Sequence, residues 1–386
     1  MPSVTALDHG PARPTPASDP HSALAGLLAH VDVKVGGRRP WDILIHDPRL
    51  SRRVLMQGSL GAGESYMDGW WDCERLDELL ARVLGADLDN RLGRLHEFWS
   101  NVVAFVRNAQ TRRRAFQVGE RHYDIGDDLY AAMLDERMIY SCGYWHRAST
   151  LDSAQADKLD LVCRKLALQP GMRVLDIGCG WGGAAQFAAE RYGVQVTGVT
   201  VSRNQALAAE ARCRGLPVTV RLADYRDIEG RFDRIFSLGM FEHVGARNYG
   251  RFFRKVRELL APDGLFLLHT IGSNWSSNST DPWIERYIFP NSMLPSMAQI
   301  ARALEHRWII EDWHSFGADY DRTLMNWLRR FEASWPSIAA RYGERFRRMW
   351  RFYLSVSAAS FRVRRNQLWQ FVLSPRGIPG GYPEVR

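Results

Sequence analysis

From about Tyr123 onward, short apolar runs rich in β-branched residues alternate with stretches whose apolar positions repeat at helical spacing. Arg173–Ile177, Val194–Val201, Val218–Leu222, Phe232–Leu238 and Leu265–Thr270 read as strands. Ala184–Tyr192 reads as a helix. Tyr249, Phe252, Phe253, Val256, Leu259 and Leu260 recur at i, i+3, i+4 and i+7 and define another, which stops at the turn Pro262-Asp263-Gly264. The alternation predicts an α/β fold: a Rossmann-like, open and mostly parallel sheet with helices on both faces. Ligands of such sheets bind at the carboxyl ends of the strands. Here those ends are Asp176–Gly180, Thr200–Ser202, Asp224–Tyr225, Gly239–His243 and His269–Ile271. From Ser273 to about Leu304, with Pro282, Pro290 and Pro295, the alternation lapses. This insertion is expected to lie over the strand ends as a substrate lid.

The chain before Tyr123 follows other patterns. Residues 1–20, rich in Pro, Ser, Ala and His, predict a disordered leader without the basic start and apolar core of a secretory signal. Residues 21–105 combine mixed periodicity with turn signals at Gly36-Gly37, Asp47-Pro48 and Gly61-Ala62-Gly63, as in a small α+β domain. Residues 106–122, with Arg112-Arg113-Arg114, form a basic linker, and 123–386 the catalytic domain.

Composition narrows the setting. Fourteen Trp, 17 Phe and 13 Tyr suit an apolar substrate and equally a large core. The five cysteines are scattered without a CxxC pair, which argues against a disulfide framework or a zinc site and for the cytoplasm. No apolar run approaches the roughly 18 residues that span a bilayer. The net charge of +8 is concentrated: residues 321–365 hold eleven Arg and no Lys against Asp321, Glu332 and Glu344, or 11 − 3 = +8. Trp327, Phe331, Trp335, Phe346, Trp350 and Phe352 are interleaved with these arginines. Such a stretch could stack on nucleic acid, face anionic lipid headgroups, or form a solvated face.

The chemistry begins at Asp176-Ile-Gly-Cys-Gly-Trp-Gly-Gly183, where a strand turns into a helix. Gly178, Gly180 and Gly182 permit positive φ and a close approach of backbone N–H groups to a ligand. Gly178, Gly180 and Gly183 also fit the dinucleotide spacing GxGxxG, so the motif alone leaves NAD open. Two features shift the balance toward S-adenosylmethionine: the acid Asp176 before the first glycine, and the absence of Asp or Glu at the second strand end, Thr200-Val-Ser202, which weakens the NAD reading and also departs from many methyltransferases. Thr200, Ser202 and Gln205 could supply hydroxyl and amide partners to the cofactor, and Asp224 and Tyr225 are placed to meet its adenine.

The segments Asp176–Gly183, Asp224–Asp227, Gly239–Gly245, Leu267–Gly272 and Phe316–Tyr320, in this order, closely resemble bacterial cyclopropane-fatty-acyl-phospholipid synthases, and Gly63–Trp71 resembles their small domain. The resemblance implies methylene transfer from S-adenosylmethionine to a cis double bond in a membrane phospholipid, with bicarbonate as the general base. It implies bicarbonate ligands at Cys142, Glu242, His269, the backbone of Ile271 and Tyr320, and cofactor contacts from Tyr140 and Ser141. It further implies a lipid-associated small domain, peripheral contact with the inner membrane from the cytoplasm, and a homodimer. It turns the arginine-rich stretch toward lipid rather than nucleic acid. Relatives often carry a cysteine in the helix matching Tyr353–Phe361; Ser357 stands there, and it is read as structural. His122-Tyr123-Asp124 matches a further family element whose role the residues do not reveal.

Overall fold

The computed structural model describes residues 19–88 and 126–386. The leader up to residue 18, the basic linker and His122-Tyr123-Asp124 lie outside the described residues.

The first described stretch holds helices α1 (Pro20–Ala29), α2 (Arg49–Met67) and α3 (Leu76–Gly85) and a two-stranded ladder of β1 (Leu44–Ile45) and β2 (Trp71–Asp72). After it come α4 (Asp127–Met133), α5 (Leu151–Lys165), β3 (Arg173–Ile177), α6 (Gly183–Tyr192), β4 (Gln195–Thr200), α7 (Arg203–Arg212), β5 (Val218–Leu222) and β6 (Phe232–Leu238). The chain continues through α8 (Tyr249–Leu259), β7 (Leu260–Ser273), α9 (Pro282–Tyr287), α10 (Met297–Leu304), β8 (Ile309–Ser315), α11 (Ala318–Tyr342), α12 (Glu344–Arg362) and β9 (Asn366–Ser374).

Seven strands form one sheet in the order β5-β4-β3-β6-β7-β9-β8. The five predicted strands are its parallel part. The turn read at Pro262-Asp263-Gly264 falls inside β7: Leu260 pairs with Phe232, and pairing resumes with Leu265 opposite Arg234. Strands β8 and β9, which the apolar pattern left unassigned, close the sheet; β9 runs antiparallel to both β7 and β8.

Side chains alternate across the sheet because successive residues of a strand point to opposite faces. Ile235, Phe266 and Leu268 join one apolar layer with Phe252, Phe253 and Val256 of α8. Phe236, Leu265 and Leu267 join the other, with Leu159 and Val162 of α5 and Ala185 and Ala188 of α6. The insertion is divided. Its last part, α10, packs Ile300 and Leu304 into the α8 layer, so it serves the core and not a lid. The middle part reaches the strand ends, where the Met293 N–H donates to the Glu242 carbonyl (3.0 Å).

The N-terminal helices share a third apolar cluster with α4, α11 and α12, in which Leu50, Tyr66, Trp71, Leu76 and Trp283 meet Trp327, Trp350 and Phe352. The aromatics interleaved with arginine are thus mostly core: Trp327, Phe331 and Trp350 are fully buried. Eight of the eleven arginines of 321–365 (330, 341, 345, 347, 348, 351, 362 and 365) lie in ion pairs. Arg348 is the most enclosed of those facing the N-terminal helices. It donates to the carbonyls of Tyr66 and Trp71 and to Asp72, with its guanidinium 4.1 Å from the centre of the Tyr66 ring. Four of these pairs, from Arg345, Arg348, Arg362 and Arg365 to Asp68, Asp72, Asp77 and Asp87, tie the N-terminal segment to α12 and the residues that follow it.

Candidate active site

The order β3-β6 marks the point where the chain's windings diverge, and a cavity opens there at the carboxyl ends of the strands. Its walls include Tyr140, Ser141, Gly178, Gly180, Thr200, Gln205, Asp224 and Tyr225, with His243 and the insertion residues Pro290 and Asn291 opposite. Gly178 has φ +90°, and a Cβ there would stand 2.8 Å from Met240, so glycine both makes the turn and lets the loop lie against the β6 end. Three predicted cofactor residues do not line the cavity. Asp176 is buried beneath the loop, Ser202 caps α7 by accepting from the Gln205 N–H, and Gly182 lies against Ala209 of α7.

The walls are internally braced. Thr200 Oγ1 donates to Gln205 Oε1 (2.9 Å), and the Ser202 N–H donates back to Thr200 Oγ1 (3.2 Å). Arg226 grips the Asp224 carboxylate, while Tyr225 packs its ring edge-on to Phe252. Tyr140 and Ser141 arrive on an irregular segment that α5 holds from behind: Gln155 Nε2 donates to the Ser141 carbonyl (2.8 Å), and Lys158 Nζ donates to Ser141 Oγ (3.0 Å). Both α5 residues are fully buried. The sequence carried a signal for them, since Leu151, Ala154, Lys158, Leu161 and Lys165 fall on one helical stripe where the pattern calls for apolar residues.

Behind the cavity, the β6 and β7 ends hold the expected acid and imidazole. Glu242 Oε1 accepts from the Ile271 N–H (2.7 Å), while Oε2 is buried without a partner among the described residues. Burial pushes this carboxyl up to about 7. His269 sits two residues before Ile271, and its Nδ1 is 3.3 Å from Gln370 Nε2 on the adjoining strand β9. In the amide orientation with Gln370 Nε2 facing Nδ1, the neutral ring carries its proton on Nε2, which is buried and unpartnered among the described residues. Burial holds His269 well below its ordinary pKa, so the ring is neutral.

Cys142 and Tyr320 come from the other side, joined by the first turns of α11. Thr323 Oγ1 accepts from the Gly143 N–H (3.1 Å) and from Trp145 Nε1 (2.9 Å), and Asp319 accepts from the Trp145 N–H (2.7 Å). Cys142 is wholly buried, its thiol 3.2 Å from the Gly143 carbonyl, and burial drives its pKa far up, so it is no nucleophile. The Tyr320 ring lies against Phe361 (4.6 Å). Phe316, one turn earlier, contacts the His269 ring (5.9 Å) and donates its N–H to Leu368, the β9 partner of Ile271. Of the five, Glu242 and Ile271 are in direct contact, while Phe316 connects the start of α11, which carries Tyr320, to His269 and, through Leu368, to Ile271.

A strand-end cavity with a glycine loop, on a sheet of this order, defines a class I S-adenosylmethionine-dependent methyltransferase. Comparison with known proteins carries this further. Residues 110–371 match the family model described as mycolic acid cyclopropane synthetase. The chain is 53% identical over 363 residues to the cyclopropane-fatty-acyl-phospholipid synthase of Escherichia coli (strain K12), covering 93% of this chain and 94% of that protein. It is 31% identical to the tuberculostearic acid methyltransferase UfaA1 of Mycobacterium tuberculosis, covering 98% of this chain and 96% of that one. The solved mycolic acid cyclopropane synthase CmaA1, complexed with SAH and CTAB, superposes with a TM-score of 0.63 at 33% identity, covering 67% of this chain and 97% of CmaA1. The chain belongs to the mycolic acid cyclopropane synthetase family.

Proposed function

We propose that this enzyme transfers a methylene group from S-adenosylmethionine to a cis double bond in a phospholipid acyl chain and closes a cyclopropane ring. The observation that carries the proposal is that Glu242 Oε2 and His269 Nε2, an acceptor and a donor at the ends of the adjacent strands β6 and β7, are both buried without partners among the described residues. The 53% identity to a cyclopropane-fatty-acyl-phospholipid synthase supports the same acceptor.

The chemistry explains why such a pair is needed. The alkene's π electrons attack the sulfonium methyl carbon, the carbon–sulfur bond breaks, and S-adenosylhomocysteine leaves. A carbocation remains on the acyl chain. Loss of a proton from the transferred methyl then closes the ring, so a proton acceptor must stand at a place that water does not reach. Bicarbonate, when bound, supplies that acceptor. Glu242 Oε2 suits its O–H, and His269 Nε2–H and the Tyr320 hydroxyl suit its oxygens. The Cys142 thiol adds a weak donor. The Ile271 N–H is already engaged by Glu242, so its part is to orient that carboxylate.

The proposal places the enzyme in peripheral contact with the membrane from the cytoplasmic side. No helix among the described residues is long and apolar enough to cross a membrane. Lipids from a host expressing the chain are expected to gain one CH₂ and lose a double bond by mass spectrometry, with cyclopropane methylene resonances in the proton spectrum. A gain of CH₂ with the double bond retained would mean methylation without ring closure. Unchanged lipids would mean another acceptor. Co-sedimentation with anionic but not neutral vesicles is the result expected of the membrane contact.

A further inference from the structure

Helix α5 buries two lysines of different standing. Lys165 ends in an ion pair with Asp312 (2.7 Å). Lys158 has no carboxylate within ion-pair distance among the described residues, although its side chain is fully buried; its one hydrogen bond there is to Ser141 Oγ. An ammonium in such a place is costly unless something offsets its charge. The buried carboxyls of Asp135 and Asp176 act on it from a distance. Asp135 already accepts the N–H groups of Ile139 (2.8 Å) and Arg137 (3.1 Å).

Ser141 connects this charge to the cavity. A hydroxyl has one hydrogen and two lone pairs, and an ammonium can only donate, so Lys158 takes up a lone pair. The Ser141 hydrogen has no acceptor among the described protein groups, and Ser141 lines the cavity together with Gly178 and Gly180. The hydroxyl proton is thereby left for an acceptor that the cavity lined by Ser141 can hold, with a positive charge directly behind the oxygen. Such a donor favours an anionic acceptor, and charge-assisted hydrogen bonds are the stronger ones. S-adenosylmethionine carries one carboxylate, on its amino-acid arm.

We propose that Lys158 is a positioning residue which, through Ser141, recognises the carboxylate of the cofactor's amino-acid arm. The inference rests on the cofactor being S-adenosylmethionine and not on the identity of the lipid acceptor. It is tested with S-adenosylhomocysteine, which has that arm, and 5′-methylthioadenosine, which keeps the adenosine and sulfur but lacks it. Affinities of the purified full-length chain for both are measured by titration calorimetry. Lys158→Met is expected to weaken S-adenosylhomocysteine about 10- to 100-fold and to leave 5′-methylthioadenosine within about 2-fold. Ser141→Ala, which keeps the lysine, is expected to show the same selectivity. Equal weakening of both ligands, or of neither, overturns the proposal. Should Lys158→Met fail to fold, Ser141→Ala decides alone by the same criterion. A wild-type chain that binds neither ligand would instead overturn the cofactor assignment itself.

Discussion

Glu242→Gln is expected to lower ring formation roughly 10³-fold while S-adenosylhomocysteine binds within about 3-fold of wild type. The amide keeps the size of the carboxyl, and its oxygen can still accept from the Ile271 N–H, so the β6 and β7 ends stay joined. What it removes is the negative charge and an acceptor at the buried Oε2 position. Glu242 is absent from the wall of the cavity assigned to the cofactor, which is why affinity and turnover should separate. Turnover comparable to wild type would sink the assignment of Glu242 to holding the proton-accepting bicarbonate. The same variant has a signature in stability. The folded protein holds the Glu242 proton up to about pH 7 against an ordinary 4.5, so between those values it binds more protons than the unfolded chain. The Glu242 contribution to wild-type stability therefore falls through this window as pH rises, and Glu242→Gln lacks that loss. In bicarbonate-depleted buffer without cofactor, the variant is expected to melt with wild type at pH 4.5 and above it at pH 8. Parallel melting curves at both pH values would contradict the burial argument.

Gly183→Ala is expected to cost about 2–4 kcal/mol of stability and to weaken cofactor binding by about 10-fold or more. A Cβ at Gly183 would meet the Arg137 carbonyl oxygen at 2.1 Å and Ile139 Cδ1 at 2.8 Å. A backbone carbonyl cannot rotate away as a side chain can. The segment leading to Tyr140 and Ser141 would have to move, and those residues line the cavity. Gly250→Ala in α8 is the control: nothing lies within 4 Å of its Cβ, and the change should be neutral or stabilise by about 0.5–1 kcal/mol. Urea unfolding and calorimetric binding of S-adenosylhomocysteine measure both effects. A Gly183→Ala chain that binds like wild type would show that the loop and the 137–141 segment are not in register as described.

These two positions differ in how far the sequence could explain them. Gly183 stands in a local signature, a strand running into a helix through a run of glycines, although what forbids a side chain there is the Arg137 carbonyl, far upstream. Glu242 and His269 could be placed at strand ends by the same local logic. Their contact through Ile271, and the imidazole's proton on Nε2, depend on chains meeting across the sheet. Gln370 in particular reaches His269 only because β9 inserts between β7 and β8. Its strand, Asn366–Ser374, carries two glutamines among apolar residues, so the pattern did not mark it as buried.

Charge was the least legible quantity. The arginines of 321–365 are dense in sequence, and their density suggested a surface for anionic lipid. Their partners, Asp68, Asp72, Asp77, Asp128 and Asp152 among them, lie far upstream. Lys158 stood on an apolar stripe with nothing nearby in sequence to explain it; Ser141 and the cavity beyond explain it in space.

The sequence by itself determined the α/β class, the five parallel strands, the glycine loop and the acid and imidazole at successive strand ends. Each of these follows from periodicity, turn chemistry or a short motif, all of which act over a few residues. The tertiary structure alone decided which buried polar atoms lack partners among the described residues, which arginines pair with aspartates, and which lysine stands behind the strand-end cavity. Those outcomes depend on burial and on pairing between residues up to hundreds of positions apart, and a linear pattern carries no record of either.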